Sequence, residues 1–361
     1  MVKKVVIIGG SFAGLKAAKH ILARGDSDVS VTVVSKSTHA FYTFAAPRLI
    51  VEPFHKDKTL FDVEESLNKY NKNSQVNFIH GSVESVKLKD RSIDVLSNGQ
   101  TQSLSYDVLV IASGTRYGTP TFKLLDDYTS TIKSIEKINK DIKAANKIAV
   151  IGGGPTGVET AGEIAYEYGK TKSITLYTGS KGPLSYLGDH RSRQAVLKLQ
   201  KLGVEVVNSV RPRVKDSKTL TFEDGSAAEY DVVIEAVGLK PNSEFLPAEI
   251  LDESGYVLTN EYLQLESYPE VVAGGDIVSG TEKDVVTLSY VQWATLEKTL
   301  DYLLNKSQDR RQVMKPIKRT IFVPISREGG IGVLFGFGVP NFLVRMLKAK
   351  DFMISKAGQF F

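Results

Sequence analysis

Two stretches of this chain repeat one plan: a short apolar run, a glycine-rich turn, and a segment with helical spacing. In the first, Val5-Val6-Ile7-Ile8 breaks into Gly9-Gly10-Ser11-Phe12-Ala13-Gly14 and then into Leu15-Lys16-Ala17-Ala18-Lys19-His20-Ile21-Leu22, with a second β-branched run over residues 29–34. In the second, Ile148-Ala149-Val150-Ile151 leads into Gly152-Gly153-Gly154-Pro155-Thr156-Gly157, a helical stretch over about 158–168 and a strand over 173–177. The turns begin 143 residues apart (152 − 9). A strand that is apolar throughout is buried on both faces, the condition of a parallel sheet. A glycine turn between that strand and a helix lets backbone amides approach a pyrophosphate at the positive end of the helix. The chain is thereby constrained to the α/β class, with two Rossmann-like dinucleotide-binding units.

The same logic extends beyond each unit. Tyr106-Asp107-Val108-Leu109-Val110-Ile111-Ala112, ending at Ser113-Gly114-Thr115, reads as a further buried parallel strand. Tyr230-Asp231-Val232-Val233-Ile234-Glu235-Ala236-Val237-Gly238 repeats that pattern behind the second unit. Past Val271-Val272-Ala273-Gly274-Gly275-Asp276 the spacing predicts a helix over about 286–305 that packs back on the first unit. The end of the chain differs in kind, being glycine-punctuated, aromatic and basic. With 361 residues, 42% of them hydrophobic, the chain can bury more than one core.

Exclusions come from what is missing. The sequence has no cysteine, so it has no redox-active dithiol, thiolate metal site or cysteine-ligated iron–sulfur cluster. His20, His39, His55, His80 and His190 show no ligand spacing, and no metal is assigned. The net charge of +5 is modest for this length, and no basic run is dense enough to require nucleic acid. Met1-Val2-Lys3-Lys4 runs directly into the first strand, leaving no room for a leader peptide, and Val2 excludes N-myristoylation. No apolar run approaches the roughly 20 residues that span a bilayer. The expectation is a protein that starts in the cytoplasm.

The second glycine turn carries the full pattern, Gly152, Gly154 and Gly157, between a strand and a helix. In the first, Ser11 replaces the middle glycine, and its hydroxyl is able to bond a phosphate oxygen. An acidic residue is expected about 20 positions on, to hold a ribose hydroxyl. Neither unit has one: the first reads Val34-Ser35-Lys36 and the second Tyr177-Thr178-Gly179-Ser180-Lys181. The second unit thus lacks the usual repulsion against a 2′-phosphate, and Lys181 with Thr178 and Ser180 is placed to bond one, unless these are merely solvated loop residues. The donor is accordingly written NADH or NADPH.

The stretch GGGPTGVETAGE (152–163) resembles the NAD-domain fingerprint of the flavoproteins with two dinucleotide-binding domains, and VVAGGD (271–276) resembles their second FAD motif. The overall length and the ending Val344-Arg345-Met346-Leu347-Lys348-Ala349-Lys350-Asp351-Phe352 are similar to the apoptosis-inducing-factor-like branch. The resemblance covers essentially the whole chain. It implies a FAD domain over residues 1–118 and 241–310, an NAD(P)H domain inserted over 119–240, and a C-terminal segment over 311–361 with an aromatic, basic helix. It implies that Gly9, Gly10, Ser11 and Gly14 cradle the FAD pyrophosphate, that Ser35 and Lys36 lie at its adenosine ribose, and that Arg48 stands beside the flavin. Ala112, Ser113 and Gly114 match a turn passing close to FAD, and Asp276 matches the carboxylate on its ribityl chain. Glu159 matches a glutamate near the nicotinamide, the alternative being an exposed helix residue. Gly238, Pro241 and Asn242 match the turn lining that site. Tyr290, Gln292 and Trp293 open a helix aimed at the isoalloxazine, where Trp293 departs from the small residues of the pattern. Glu159 and Gln292 are the residues expected nearest the chemistry.

The implied reaction is hydride transfer from nicotinamide C4 to flavin N5, followed by electron transfer onward. A quinone is the expected acceptor, since it needs no protein thiol; the rivals are a small iron–sulfur carrier protein, and a cofactor-gated interaction role. Phe342, Leu343, Met346 and Leu347 share one helical face opposite Arg345 and Lys348, with Phe335, Phe337, Phe352, Phe360 and Phe361 nearby. That composition suits a peripheral segment on anionic lipid, such as a mitochondrial outer membrane or lipid droplet. A helix packed on the protein's own surface shares it. Without the dimerisation domain usual in such flavoproteins, a monomer or weak dimer is expected.

Overall fold

In a computed structural model, which describes residues 2–305 and 310–361, the two units form separate parallel sheets. The first has the order Val271–Ala273, Val108–Ile111, Lys3–Ile8, Val29–Ser35, Gln75–His80. The second has the order Val204–Val207, Ser173–Tyr177, Lys147–Ile151, Val232–Glu235. Ile7 lies between Val33 and Val110 and has no exposed surface, which is why this strand carries apolar residues on both faces. Against the first sheet the helix Phe12–Leu22 buries Leu15, Ala18, Ile21 and Leu22. Each large aliphatic side chain so buried contributes roughly 1.5–3 kcal/mol.

The chain passes between the sheets twice, and the crossings are bonded together. Thr115–Arg116 runs antiparallel to Lys240–Pro241. Beside this ladder Ser113 Oγ donates to Asn242 O at 2.7 Å, and Asn242 Nδ2 donates to Ser113 O at 2.7 Å.

The expected helix over about 286–305 is divided. Thr287–Gln292 is a π turn, capped by Asp284 Oδ1 accepting from Thr287 N at 2.7 Å, and Trp293–Leu303 is α-helical. Wide turns of this kind cluster at functional sites.

The C-terminal segment departs furthest from expectation. Ile321–Ser326, Gly329–Leu334 and Phe337–Gly338 form an antiparallel sheet, followed by only four α-helical residues, Asn341–Val344, and a π turn, Arg345–Ala349. The strand Ile321–Ser326 lies across the helix Pro155–Tyr168, where a Cβ on Gly162 would stand 2.9 Å from the carbonyl carbon of Ile325. A glycine is therefore required at that crossing.

The aromatic residues grouped together in the sequence separate. Phe352 and Phe361 are buried and Phe360 is partly buried. Phe361 sits 4.6 Å from Phe12 and stacks on Phe61 at 4.7 Å, closing the tail onto the first unit. Phe360 and Phe361 face protein because Phe12, Tyr42 and Phe61 offer them an apolar seat, while Phe352 lies under the Arg48 guanidinium at 5.1 Å. Phe335, Phe337, Phe342, Met346 and Leu347 remain exposed.

Candidate functional site

The first glycine turn is closed by backbone. Gly9 has φ +114°, and a Cβ there would lie 2.3 Å from Ala112 O; a Cβ on Gly14 would lie 1.8 Å from Gly9 O. Gly10 meets the side chain of Ser35 in the same way, at 2.9 Å. Ser11 is the helix N-cap, and its hydroxyl makes no capping bond. With no acid in the first helical turn either, the positive helix end faces outward uncompensated. Ser35 Oγ accepts from Ser37 N at 3.2 Å, while the Lys36 side chain is exposed. Gly114 has φ +65° with open space where a side chain would be.

Asp276 stands at the far edge of this cradle. Its Oδ2 accepts from Lys123 Nζ at 2.5 Å and from Thr115 Oγ1 at 3.1 Å, while Oδ1 has no bond within the described residues. Lys123 was invisible to the sequence reading, because nothing local marks it. Gln292, expected near the chemistry, has its side-chain amide bonded within the protein. It is buried, its Oε1 accepts from Gly275 N at 2.7 Å, and its Nε2 donates to Gly275 O at 3.2 Å and Thr281 Oγ1 at 3.3 Å. Both ends of the amide are used to hold the loop that carries Asp276. Trp293 turns toward the first helix, edge-on to His20 at 6.1 Å and under the Lys16 ammonium at 4.6 Å. Tyr290 is exposed.

The second turn repeats the backbone closure. A Cβ on Gly152, at φ +135°, would lie 2.7 Å from Ala236 O, and one on Gly157 would lie 2.0 Å from Gly152 O. Gly154, the N-cap, has nothing within 4 Å of its missing side chain, so the turn is open toward a ligand. Gly238, at φ +78°, is equally open. Thr178 is buried and its hydroxyl donates to Ser180 O at 2.8 Å, so this hydroxyl proton is directed inward, contrary to a direct phosphate contact. Lys181 is exposed.

Between the units lies a ladder of charge, buried at Glu159 and Glu163 and open to solvent at Glu167. Glu159, Glu163 and Glu167 fall on one face of the helix Pro155–Tyr168 at i, i+4, i+8. Lys348 Nζ pairs with Glu159 at 2.6 Å, Arg48 Nε with Glu163 at 2.5 Å, and Arg327 with Glu167 at 3.2 Å. Glu159 is 5% exposed, which removes the exposed alternative. Burial raises its carboxyl above the usual glutamate range, with Lys348 opposing; burial also raises Glu163, with Arg48 opposing. Arg48, expected beside the flavin, has its guanidinium fully engaged by protein: Nη2 donates to Glu163 Oε1 at 3.2 Å and Ala349 O at 3.1 Å, and Nη1 donates to Lys350 O at 3.3 Å. It is a tie between first unit, second unit and tail. Tyr117 adds a bond across the hinge, 2.9 Å to the Thr156 hydroxyl. The pairing of Lys348 with Glu159 and of Arg48 with Glu163 is not marked in the sequence beyond the four-residue spacing of the glutamates: like charges so placed repel unless each has a partner.

Comparison with known proteins agrees with this arrangement. Residues 3–295 match the pyridine nucleotide-disulphide oxidoreductase family. Oxidoreductase ptaL of Pestalotiopsis fici is 31% identical, the alignment covering 97% of this chain and 96% of that protein. Ferroptosis suppressor protein 1 of Mus musculus is 29% identical over 97% of this chain and 94% of its own length. The sulfide:quinone oxidoreductase of Aquifex aeolicus shares the fold, with a TM-score of 0.80 at 14% identity, over 99% of this chain and 92% of that one. The chain belongs to the pyridine nucleotide-disulphide oxidoreductase family, and it is an oxidoreductase whose cofactors are FAD and a nicotinamide dinucleotide.

Proposed function

We propose that this family member is a FAD-dependent NAD(P)H:quinone oxidoreductase working at a membrane surface. The observation that carries the reading is a family built around disulphide chemistry represented by a chain with no cysteine, so the electrons must leave the flavin for an acceptor that is not a protein thiol of this chain. Bound FAD supplies the two-electron chemistry, taking a hydride equivalent from the nicotinamide and passing electrons to the quinone. The chain's own residues bind and orient. Gly9, Gly10, Ser11, Gly14 and Asp276 fit FAD: the glycines keep the turn clear of side chains, the Ser11 hydroxyl makes no capping bond, and Asp276 keeps one carboxylate oxygen for a ribityl hydroxyl. Gly152, Gly154 and Gly157 fit the dinucleotide pyrophosphate. Lys348 holds Glu159 in place at the nicotinamide side, and the hinge ladder fixes the distance between the two sites.

Two features favour a lipid-soluble acceptor. A half-open cleft of about 350 Å³ adjoins Thr287 of the π turn, with Tyr186, Val291, Met314, Ile317 and Ile321 in its lining. Phe337, Phe342 and Met346 are 73%, 63% and 65% exposed, next to exposed Phe335, Leu347 and Arg345. An apolar rim of this size with adjacent cations suits anionic lipid headgroups. Among the described residues no helix is long and apolar enough to cross a membrane, so contact of this kind is peripheral.

The test is steady-state NADPH oxidation with a short-chain and a long-chain ubiquinone, with and without vesicles containing anionic lipid. Turnover with both quinones, and stimulation by vesicles of the long-chain reaction alone, is expected. Phe337→Asp should abolish the stimulation and spare the short-chain rate. Quinone turnover no faster than reoxidation by oxygen would redirect the search to a protein acceptor.

A further inference from the structure

The loop after Ser173–Tyr177 is where a Rossmann unit reads the adenosine ribose. Here that loop has turned its hydroxyls inward: Thr178 Oγ1 donates to Ser180 O at 2.8 Å, and Ser180 Oγ donates to Gly182 O at 3.0 Å. It is zipped to the chain leaving the neighbouring strand, with Gly179 N bonded to Val210 O at 3.1 Å and Ser209 N to Ser180 O at 2.7 Å. This brings in a residue 32 positions away, Arg211. Its Nε donates to Gly179 O at 2.8 Å, and a Cβ on Gly179 would touch its Cγ at 3.1 Å, so the stem lies flat over the glycine. Gly179, at φ +64°, leaves the room. No partner of Arg211 Nη1 or Nη2 occurs among the described residues, and the side chain is exposed. Lys181 is exposed on the same loop, and residues 178–188 contain no acid.

We propose that Arg211, with Lys181, forms the receptor for the 2′-phosphate of NADPH and makes NADPH the preferred donor. The inference rests on the reading of the second unit as the NAD(P)H site. A guanidinium anchored at Nε keeps two donors-bearing nitrogens for a phosphate, so part of its ordering cost is already met before the nucleotide arrives. Lys181 adds a point charge. NADH has a hydroxyl at this place and gains little from either cation.

The test is calorimetric titration of 2′,5′-ADP and of ADP into the FAD-loaded protein, for the wild type, Arg211→Gln, Arg211→Lys and Lys181→Gln, paired with kcat and KM for NADPH and NADH. Arg211→Gln should weaken 2′,5′-ADP binding and raise the KM for NADPH roughly 10- to 100-fold, the loss of a charged hydrogen bond. ADP binding, the KM for NADH and both kcat values should be unchanged. Arg211→Lys should restore part of the loss, and raising the salt should weaken NADPH more than NADH in the wild type only. Equal loss for both nucleotides, or no change for either, would overturn the assignment of Arg211. A wild type that binds neither nucleotide and is reduced by neither donor would overturn the reading beneath it.

Discussion

The glycine turns at residues 9 and 152 close in the same way and open differently. In both, the first glycine presses on the carbonyl of a neighbouring strand and the last presses on the first, at separations that no side chain fits. The difference lies in front of the turn. The first is fronted by Ser11 and backed by Phe12, which packs into Tyr42, Phe44 and the tail residues Phe360 and Phe361. The second is fronted by Gly154, with open space before it, and the Tyr117–Thr156 bond lies beside it. Enclosure by the chain's own end suits a cofactor that stays, and an open mouth suits a dinucleotide that must enter and leave at every turnover. On the proposed reading, one plan used twice would give a resident site and an exchange site.

The largest expected effect separates the two directly. Gly14→Ala, whose added carbon would lie 1.8 Å from Gly9 O, should yield protein without FAD, whereas Gly157→Ala, at 2.0 Å from Gly152 O, should yield yellow protein that no longer titrates with NADPH. Flavin content and nucleotide titration read both; loss of FAD from both variants would erase the distinction. Next comes the buried Arg48–Glu163 pair joining the units. Arg48→Ala leaves the Glu163 carboxylate buried without its main partner and should cost about 3–5 kcal/mol in urea unfolding. A smaller effect is expected from exchanging the fronts of the turns. Gly154→Ser should be tolerated in stability and change nucleotide affinity only a few-fold, below about 1 kcal/mol, because nothing stands within 4 Å of the added carbon.

The smallest effect is in pH. Burial raises the Glu159 carboxyl, so as pH climbs past the ordinary glutamate range the unfolded chain releases this proton before the folded one does. The contribution of Glu159 to stability is therefore greatest below that range, declines until the pH passes the raised folded value, and is constant above it. The difference in unfolding midpoint between wild type and Glu159→Gln should fall across that window and nowhere else. A pH-independent difference would mean that Lys348 cancels the cost of burial.

Both units were legible in the sequence because their signals are local. A buried parallel strand must be apolar, and a position whose Cβ would lie within 3 Å of another backbone must be glycine, so Val5 to Gly14 and Ile148 to Gly157 carry their own structure. The partners of Arg48 and Gln292 were not legible, since a guanidinium or an amide bonds to whatever the fold sets opposite. Glu163 and Lys348 are 185 residues apart from each other (348 − 163), yet each serves the same helix. The tail misled for a related reason: Phe337 and Phe361 are the same residue type, and only the presence of Phe12 and Phe61 across the surface decides which is buried.

The central claim, that one unit holds the flavin and the other delivers the electrons, is tested most directly by anaerobic stopped-flow mixing of the purified yellow protein with NADPH, then with a short-chain ubiquinone. The account predicts rapid bleaching, followed by rapid return of the oxidised flavin spectrum on adding quinone. A flavin that NADPH and NADH leave oxidised would contradict it.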